Sequence, residues 1–137
     1  MEGEKKEATL SKREILSYTL KKIDYQLSRN VVADKELYDI YKYFFSNYYN
    51  LEYEFSADEL SKELDKLYIE QNVRQYYDYI ISRISIIEFK DDSLTEEEIR
   101  EILGILREVV VYLTNNSSPT EKKQSFFSGF AKLLRSN

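Results

Sequence analysis

Apolar positions recur along this chain with the period of helices, and they mark five segments. The longest runs from Asn72 to Phe89, NVRQYYDYIISRISIIEF. Val73, Tyr77, Ile80, Ile84 and Ile87 are spaced by four, three, four and three residues, one face of a helix. Tyr76 and Ile81 widen that face, while Tyr79, Ile86 and Phe89 lie off it. Only a strip through Arg74, Gln75, Asp78, Ser82 and Ser85 stays polar. A helix apolar over so much of its surface is expected to meet several neighbours and to act as the hub of the core.

The remaining segments are punctuated by capping signals. Ser11-Lys12-Arg13-Glu14 has the form of a capping box, with Ser11 accepting from the Glu14 amide and Glu14 reaching back. The helix after it places Ile15, Leu16, Thr19, Leu20, Ile23 and Leu27 on one side and stops near Ser28-Arg29-Asn30. Asp34 is the expected N-cap of a second helix with a broad aromatic stripe: Leu37, Ile40, Tyr41, Phe44, Phe45, Tyr48 and Tyr49, ending near Asn50. Leu51-Glu52-Tyr53-Glu54-Phe55 alternates like a strand, but it is short and has no evident partner strand, so it is read as an extended loop.

Ser56-Ala57-Asp58-Glu59 forms a second box, with Phe55 and Leu60 placed as a hydrophobic staple. A short helix to about Tyr68 then turns Leu60, Leu64 and Leu67 inward, and Asn72 is expected to cap the central helix. Thr95-Glu96-Glu97-Glu98 is the third box, and its acids sit at the positive end of the helix dipole. In the last core helix Ile99, Ile102, Leu103, Leu106, Val109, Val110 and Leu113 occupy an arc of about 120°. Gly104 falls outside it.

Together these predict an all-α chain, a five- or six-helix bundle with a C-terminal amphipathic tail helix. Residues 1–10 are charged and aperiodic, 11–114 form the helical domain, 115–124 are a linker around Pro119, and 125–137 are the tail. In the tail Phe126, Phe127, Phe130, Leu133 and Leu134 share a helical face, with Lys132 and Arg135 beside it.

Composition narrows the chemistry. The chain has 137 residues, three Gly, one Pro, no Cys and no His. Scarce turn residues favour long helices over β-meanders. Without Cys there are no disulfides or thiolate metal sites. Without His the commonest general base and metal ligand are gone. The Asp91-Asp92 and Glu96–Glu98 groups lack the ligand spacing and central glycine of a calcium-binding loop. No phosphate loop or nucleophile elbow occurs. The expectation is therefore a non-enzyme with no cofactor, no metal and no small-molecule substrate.

Net charge is -5 and unevenly spread: seven basic against five acidic residues in 1–30, nine against nineteen in 31–114, and four against one in 115–137. An acidic body argues against nucleic-acid binding. There is no apolar run long enough to span a membrane and no secretory signal at Met1-Glu2-Gly3-Glu4. The expected location is the cytoplasm, or the inner face of a membrane if the tail lies on lipid. The thirteen tyrosines admit two readings, an aromatic binding face or tyrosines used at the core boundary. The tail admits three: an interfacial membrane helix, a helix docked on a partner or a second copy, and a sixth helix packed on its own domain.

From Leu37 to Leu113 the layout resembles the cytosolic helical tail domain of aerotolerance (Bat)-type and related transglutaminase-associated membrane proteins. The matching features are the Leu37/Tyr41/Phe44 stripe, Ser56-Ala57-Asp58-Glu59-Leu60, the Ile80/Ile84/Ile87 helix ending Glu88-Phe89, and Ser93-Leu94-Thr95-Glu96-Glu97-Glu98-Ile99. The resemblance implies a small non-catalytic helical unit on the cytosolic side of a membrane anchor, with no catalytic residues. The function expected is a protein-interaction or adaptor module acting through an aromatic face and the tail residues Phe126, Phe127, Phe130, Lys132, Leu133, Leu134 and Arg135. The alternative is a peripheral membrane-associating protein using the same tail.

Overall fold

The computed structural model describes residues 10–90 and 93–116. Its elements are α1 (Lys12–Leu27), α2 (Asp34–Tyr48), α3 (Ala57–Asp65), α4 (Gln71–Lys90) and α5 (Glu96–Asn115). The described residues contain no strand, so the chain is all-helical there. The alternating segment Leu51–Phe55 is irregular, and only Phe55 is buried within it.

All three capping boxes form. Ser11, Ser56 and Thr95 accept from the amides of Glu14, Glu59 and Glu98, and each glutamate accepts from its cap residue's own N–H. Two other starts differ from expectation. Ala33, not Asp34, caps α2, and it contributes no side-chain bond. Asp34 is one residue inside, where a carboxylate still gains from the dipole of the first turn. α4 begins at Gln71, one residue before Asn72.

The end of α2 has a local cause. Asn50 takes the left-handed conformation (φ 57°), and the Leu51 amide bonds back to the Ser46 carbonyl. This is the Schellman arrangement, which asparagine tolerates better than most side chains. α3 is shorter than its apolar spacing suggests. It stops at Asp65, and Leu67 is 43% exposed rather than inward.

Helix packing revises the expected hub. α4 approaches α3 and α5, and reaches α2 through long aromatic side chains such as Tyr77. α5, however, lies directly along α1, α4 and α2, and its pairing with α1 is the most extensive in the fold. Its apolar arc is correspondingly wider than predicted: Ile105 and Tyr112 are buried as well, while Leu113 is only partly so.

Polar side chains from one helix finish the ends of another. Arg100 of α5 donates to the carbonyls of Leu27, Arg29 and Asn30 at 3.1, 2.7 and 3.2 Å, closing the C-terminus of α1. Lys12 of α1 donates at 2.6 Å to the carbonyl of Tyr48, the last residue of α2. These carbonyls have no partner inside their own helices, so a cation from a neighbour is their natural ligand.

Candidate functional site

The residues expected to carry function divide sharply. Phe126, Phe127, Phe130, Lys132, Leu133, Leu134 and Arg135 lie outside the described residues. The aromatic stripe of α2 is core: Tyr41, Phe44 and Phe45 are fully buried and pack edge-on with Tyr77 of α4 and with Phe55. Tyr49 and Tyr77 share a hydroxyl–hydroxyl hydrogen bond of 2.7 Å inside this cluster.

Several tyrosines serve as boundary residues with an acidic partner for the hydroxyl. Tyr38 donates to Glu88 and Tyr53 to Glu63, both at 2.8 Å, and Tyr112 donates to Glu70. Burial, then the hydrogen bond and charge of the carboxylate, push Tyr38 and Tyr112 up to about 12. Burial lifts Tyr41, Tyr49 and Tyr77 further still. These phenols are therefore neutral at physiological pH and are unsuited to act as bases.

Besides the isolated Tyr53 and Tyr68, an exposed aromatic surface lies on α1, where the sequence reading did not place it. Tyr18 and Tyr25 are 45% and 60% exposed. Lys22 sits 5.6 Å from the Tyr18 ring centre and Arg29 sits 5.8 Å from that of Tyr25. Tyr18, Lys22, Tyr25 and Arg29 thus form a stripe in which rings and cations alternate. Its spacing of four, three and four follows one helical line that ends at Arg29 just beyond α1, and it flanks the buried Ile15, Leu16, Thr19 and Ile23. This signal was present in the sequence but was overshadowed by the denser aromatic run of α2.

Across from this stripe, Tyr43 of α2 packs its ring 4.7 Å from that of Tyr18. A cleft of about 210 Å³ opens between the two helices, with Tyr18, Lys22 and Gln26 on one wall and Glu36, Asp39 and Tyr43 on the other. Thr19 closes its floor, its hydroxyl turned to the Ile15 carbonyl. Several of the local acids are already engaged: Asp39 with Lys35 at 2.8 Å, Asp24 with Arg107 at 2.6 Å, and Glu14 in its capping box. Lys22 of α1 thus faces Glu36 and Asp39 of α2 across the cleft, with Arg29 just beyond the end of α1.

A second cleft, of about 300 Å³, lies where α1 begins and α5 ends. It is lined by Leu16, Tyr48 and Leu113, with Lys12, Arg13 and Asn116 at its edges. The Lys12 ammonium lies 3.9 Å from the Tyr48 ring centre, and burial lowers its pKa.

The acids at the start of α5 have local partners: Glu96 pairs with Arg100 at 2.9 Å, and Glu98 joins the capping box and Arg83. Among the described residues no group of three or more acidic side chains is placed to hold a metal ion, and no helix is long and apolar enough to cross a membrane. Comparison with protein-family models, curated proteins and solved structures finds no match to this chain.

Proposed function

We propose that this chain is a non-enzymatic interaction module that takes an acidic segment of a protein partner on the α1/α2 face. The observation that carries this reading is the exposed Tyr18–Lys22–Tyr25–Arg29 stripe beside the α1/α2 cleft. Tyrosine and arginine are enriched at protein interfaces because both offer large contact area and a polar tip, and tyrosine in addition has little rotamer entropy to lose. Rings held against cations are already partly ordered before a partner arrives, which lowers the cost of binding. Lys22 and Arg29 on the stripe offer charged partners to carboxylates, and the cleft beside Tyr43 gives an apolar anchor a place to enter.

Selection of a displayed random-peptide library on the full chain tests this. The expected binders are acidic peptides with an apolar or aromatic anchor, whose affinity falls with salt. Tyr25→Ala and Lys22→Glu are each expected to weaken them about tenfold, the effect of losing one interface anchor. Binders without acidic enrichment, or binders indifferent to both substitutions, would overturn the reading.

A further inference from the structure

We infer that the cleft between the start of α1 and the end of α5 is covered by the chain's own C-terminal segment, with Phe126, Phe127 and Phe130 seated against Leu16, Tyr48 and Leu113. This rests on the second cleft and is independent of the α1/α2 reading.

Three observations lead to it. First, the cleft presents mainly apolar surface, with Tyr48 and Leu113 only partly buried in its lining and Leu16 buried beneath. Second, the chain leaves the described residues at Asn116, which is itself on the cleft's edge. Nine residues lie between Asn116 and Phe126, enough for a linker of up to about 30 Å, so the segment has ample length to turn back. A tether that short holds its cargo at an effective concentration of about millimolar, which favours it over any partner in dilute solution. Third, the other segment joining this end of the fold offers no match. Residues 1–9 contain only Met1 and Ala8 as apolar side chains, whereas the tail has three phenylalanines and two leucines at helical spacing.

Charge shapes the expected behaviour. Lys12 and Arg13 edge the cleft, and residues 115–137 carry four basic side chains against one acid. Docking is therefore driven by apolar burial between like-charged surfaces, so added salt leaves it intact or strengthens it. Binding of the same basic segment to anionic lipid would show the opposite salt dependence.

The chain has no tryptophan, so Phe127→Trp in the full chain supplies a single reporter. Its emission is expected to be that of a buried indole, protected from acrylamide at every dilution and in salt. Adding Leu113→Lys is expected to lower the docked-to-free ratio about tenfold and restore quenching. If circular dichroism shows that Leu113→Lys has lost its helices, Thr114→Arg on the exposed rim serves in its place. A reporter exposed in the dilute protein would overturn the inference. So would protection that appears only as protein concentration rises, which would mean a second copy's tail. Protection gained only on adding vesicles of anionic phospholipid would overturn it as well, and would assign the tail to a membrane surface.

Discussion

The Tyr38 hydroxyl donates to Glu88 Oε2 at 2.8 Å while the other oxygen of that carboxylate accepts the Ala57 backbone N–H at 2.9 Å. Ala57 is the first residue of α3, where amides lack a partner within the helix and the dipole favours a negative charge. One carboxylate near the end of α4 therefore ties α2 to the start of α3. A tyrosine hydroxyl also ends on an acid at Tyr53–Glu63 and Tyr112–Glu70, with the Tyr38 and Tyr112 rings extending the core and the Tyr53 ring lying at the surface.

Removing that carboxylate should loosen three elements at once. Glu88→Ala is expected to cost about 2 kcal/mol, because two charge-assisted hydrogen bonds go and the Tyr38 hydroxyl is left half-buried. Glu88→Gln keeps an acceptor for Ala57 and should cost roughly half as much. Urea unfolding of the two variants measures both, and a Glu88→Ala protein with the native midpoint would contradict the bridge.

Alkaline pH should unfold the protein through its tyrosines. Tyr38 and Tyr112 are lifted from 10 to about 12, first by burial and then by their glutamates, and burial lifts Tyr41, Tyr49 and Tyr77 in the same direction. The folded state then holds protons that the unfolded chain releases. Stability from this source is complete below pH 10 and is lost progressively as pH rises from 10 through the folded values, about 12 for Tyr38 and Tyr112. Loss of helical circular dichroism should accompany the rise in tyrosinate absorbance. Tyrosinate formation by these buried rings with the helices intact would count against it.

How much of this was legible in sequence depended on range. Capping boxes are local, so Ser11, Ser56 and Thr95 could be read directly and their bonds form. Helix starts without a box were misplaced, by one residue at the Ala33 cap and by two at the start of α4, because a carboxylate or amide near a first turn is favourable at more than one position. Leu67 shows the limit of periodicity: it continues the Leu60–Leu64 spacing, yet the helix has already ended and the side chain stays 43% exposed. The dominance of α5 and the part played by Arg100 depend on residues about seventy positions apart, which no local pattern records. The α1 stripe was legible by spacing, but exposure is a property of the fold, and only the fold separates it from the buried aromatics of α2.

Arg100 offers a direct test of that long-range closure. Its guanidinium reaches the carbonyls of Leu27, Arg29 and Asn30 and the Glu96 carboxylate together. A lysine ammonium cannot span that set with the same planar fork. Arg100→Ala is expected to cost about 2 kcal/mol, and Arg100→Lys should recover less than half of it. Hydrogen exchange should place the loss at the end of α1. Full rescue by lysine would reduce the role of Arg100 to simple charge.

Two substitutions should raise stability. Ala33 caps α2 with extended dihedrals but no side-chain bond, and Glu36 already stands three residues on. Ala33→Ser completes a Ser-x-x-Glu capping box and should add about 1 kcal/mol. Gly104 lies within α5, and a Cβ built there meets nothing within 4 Å. Gly104→Ala should add about 1 kcal/mol through helix propensity alone. Thermal melts of the single variants decide each, and a lowered midpoint for Gly104→Ala would mean that the site is more crowded than its geometry indicates.

Two deletions of the same atom from one aromatic cluster should have opposite signs. Tyr41 is fully buried, and its hydroxyl has no hydrogen-bond partner among the described residues. Leaving such a group unpaired costs free energy, so Tyr41→Phe should stabilise the fold by up to about 1 kcal/mol. Tyr77 is equally buried, but its hydroxyl is bonded to that of Tyr49 at 2.7 Å. Tyr77→Phe removes that bond and strands the Tyr49 hydroxyl, at an expected cost of about 1–2 kcal/mol. Ring packing is preserved in both variants, so the difference in unfolding free energy reports on the hydroxyls alone. Equal effects of the two substitutions would show that the hydroxyl of Tyr41 is as well satisfied as that of Tyr77.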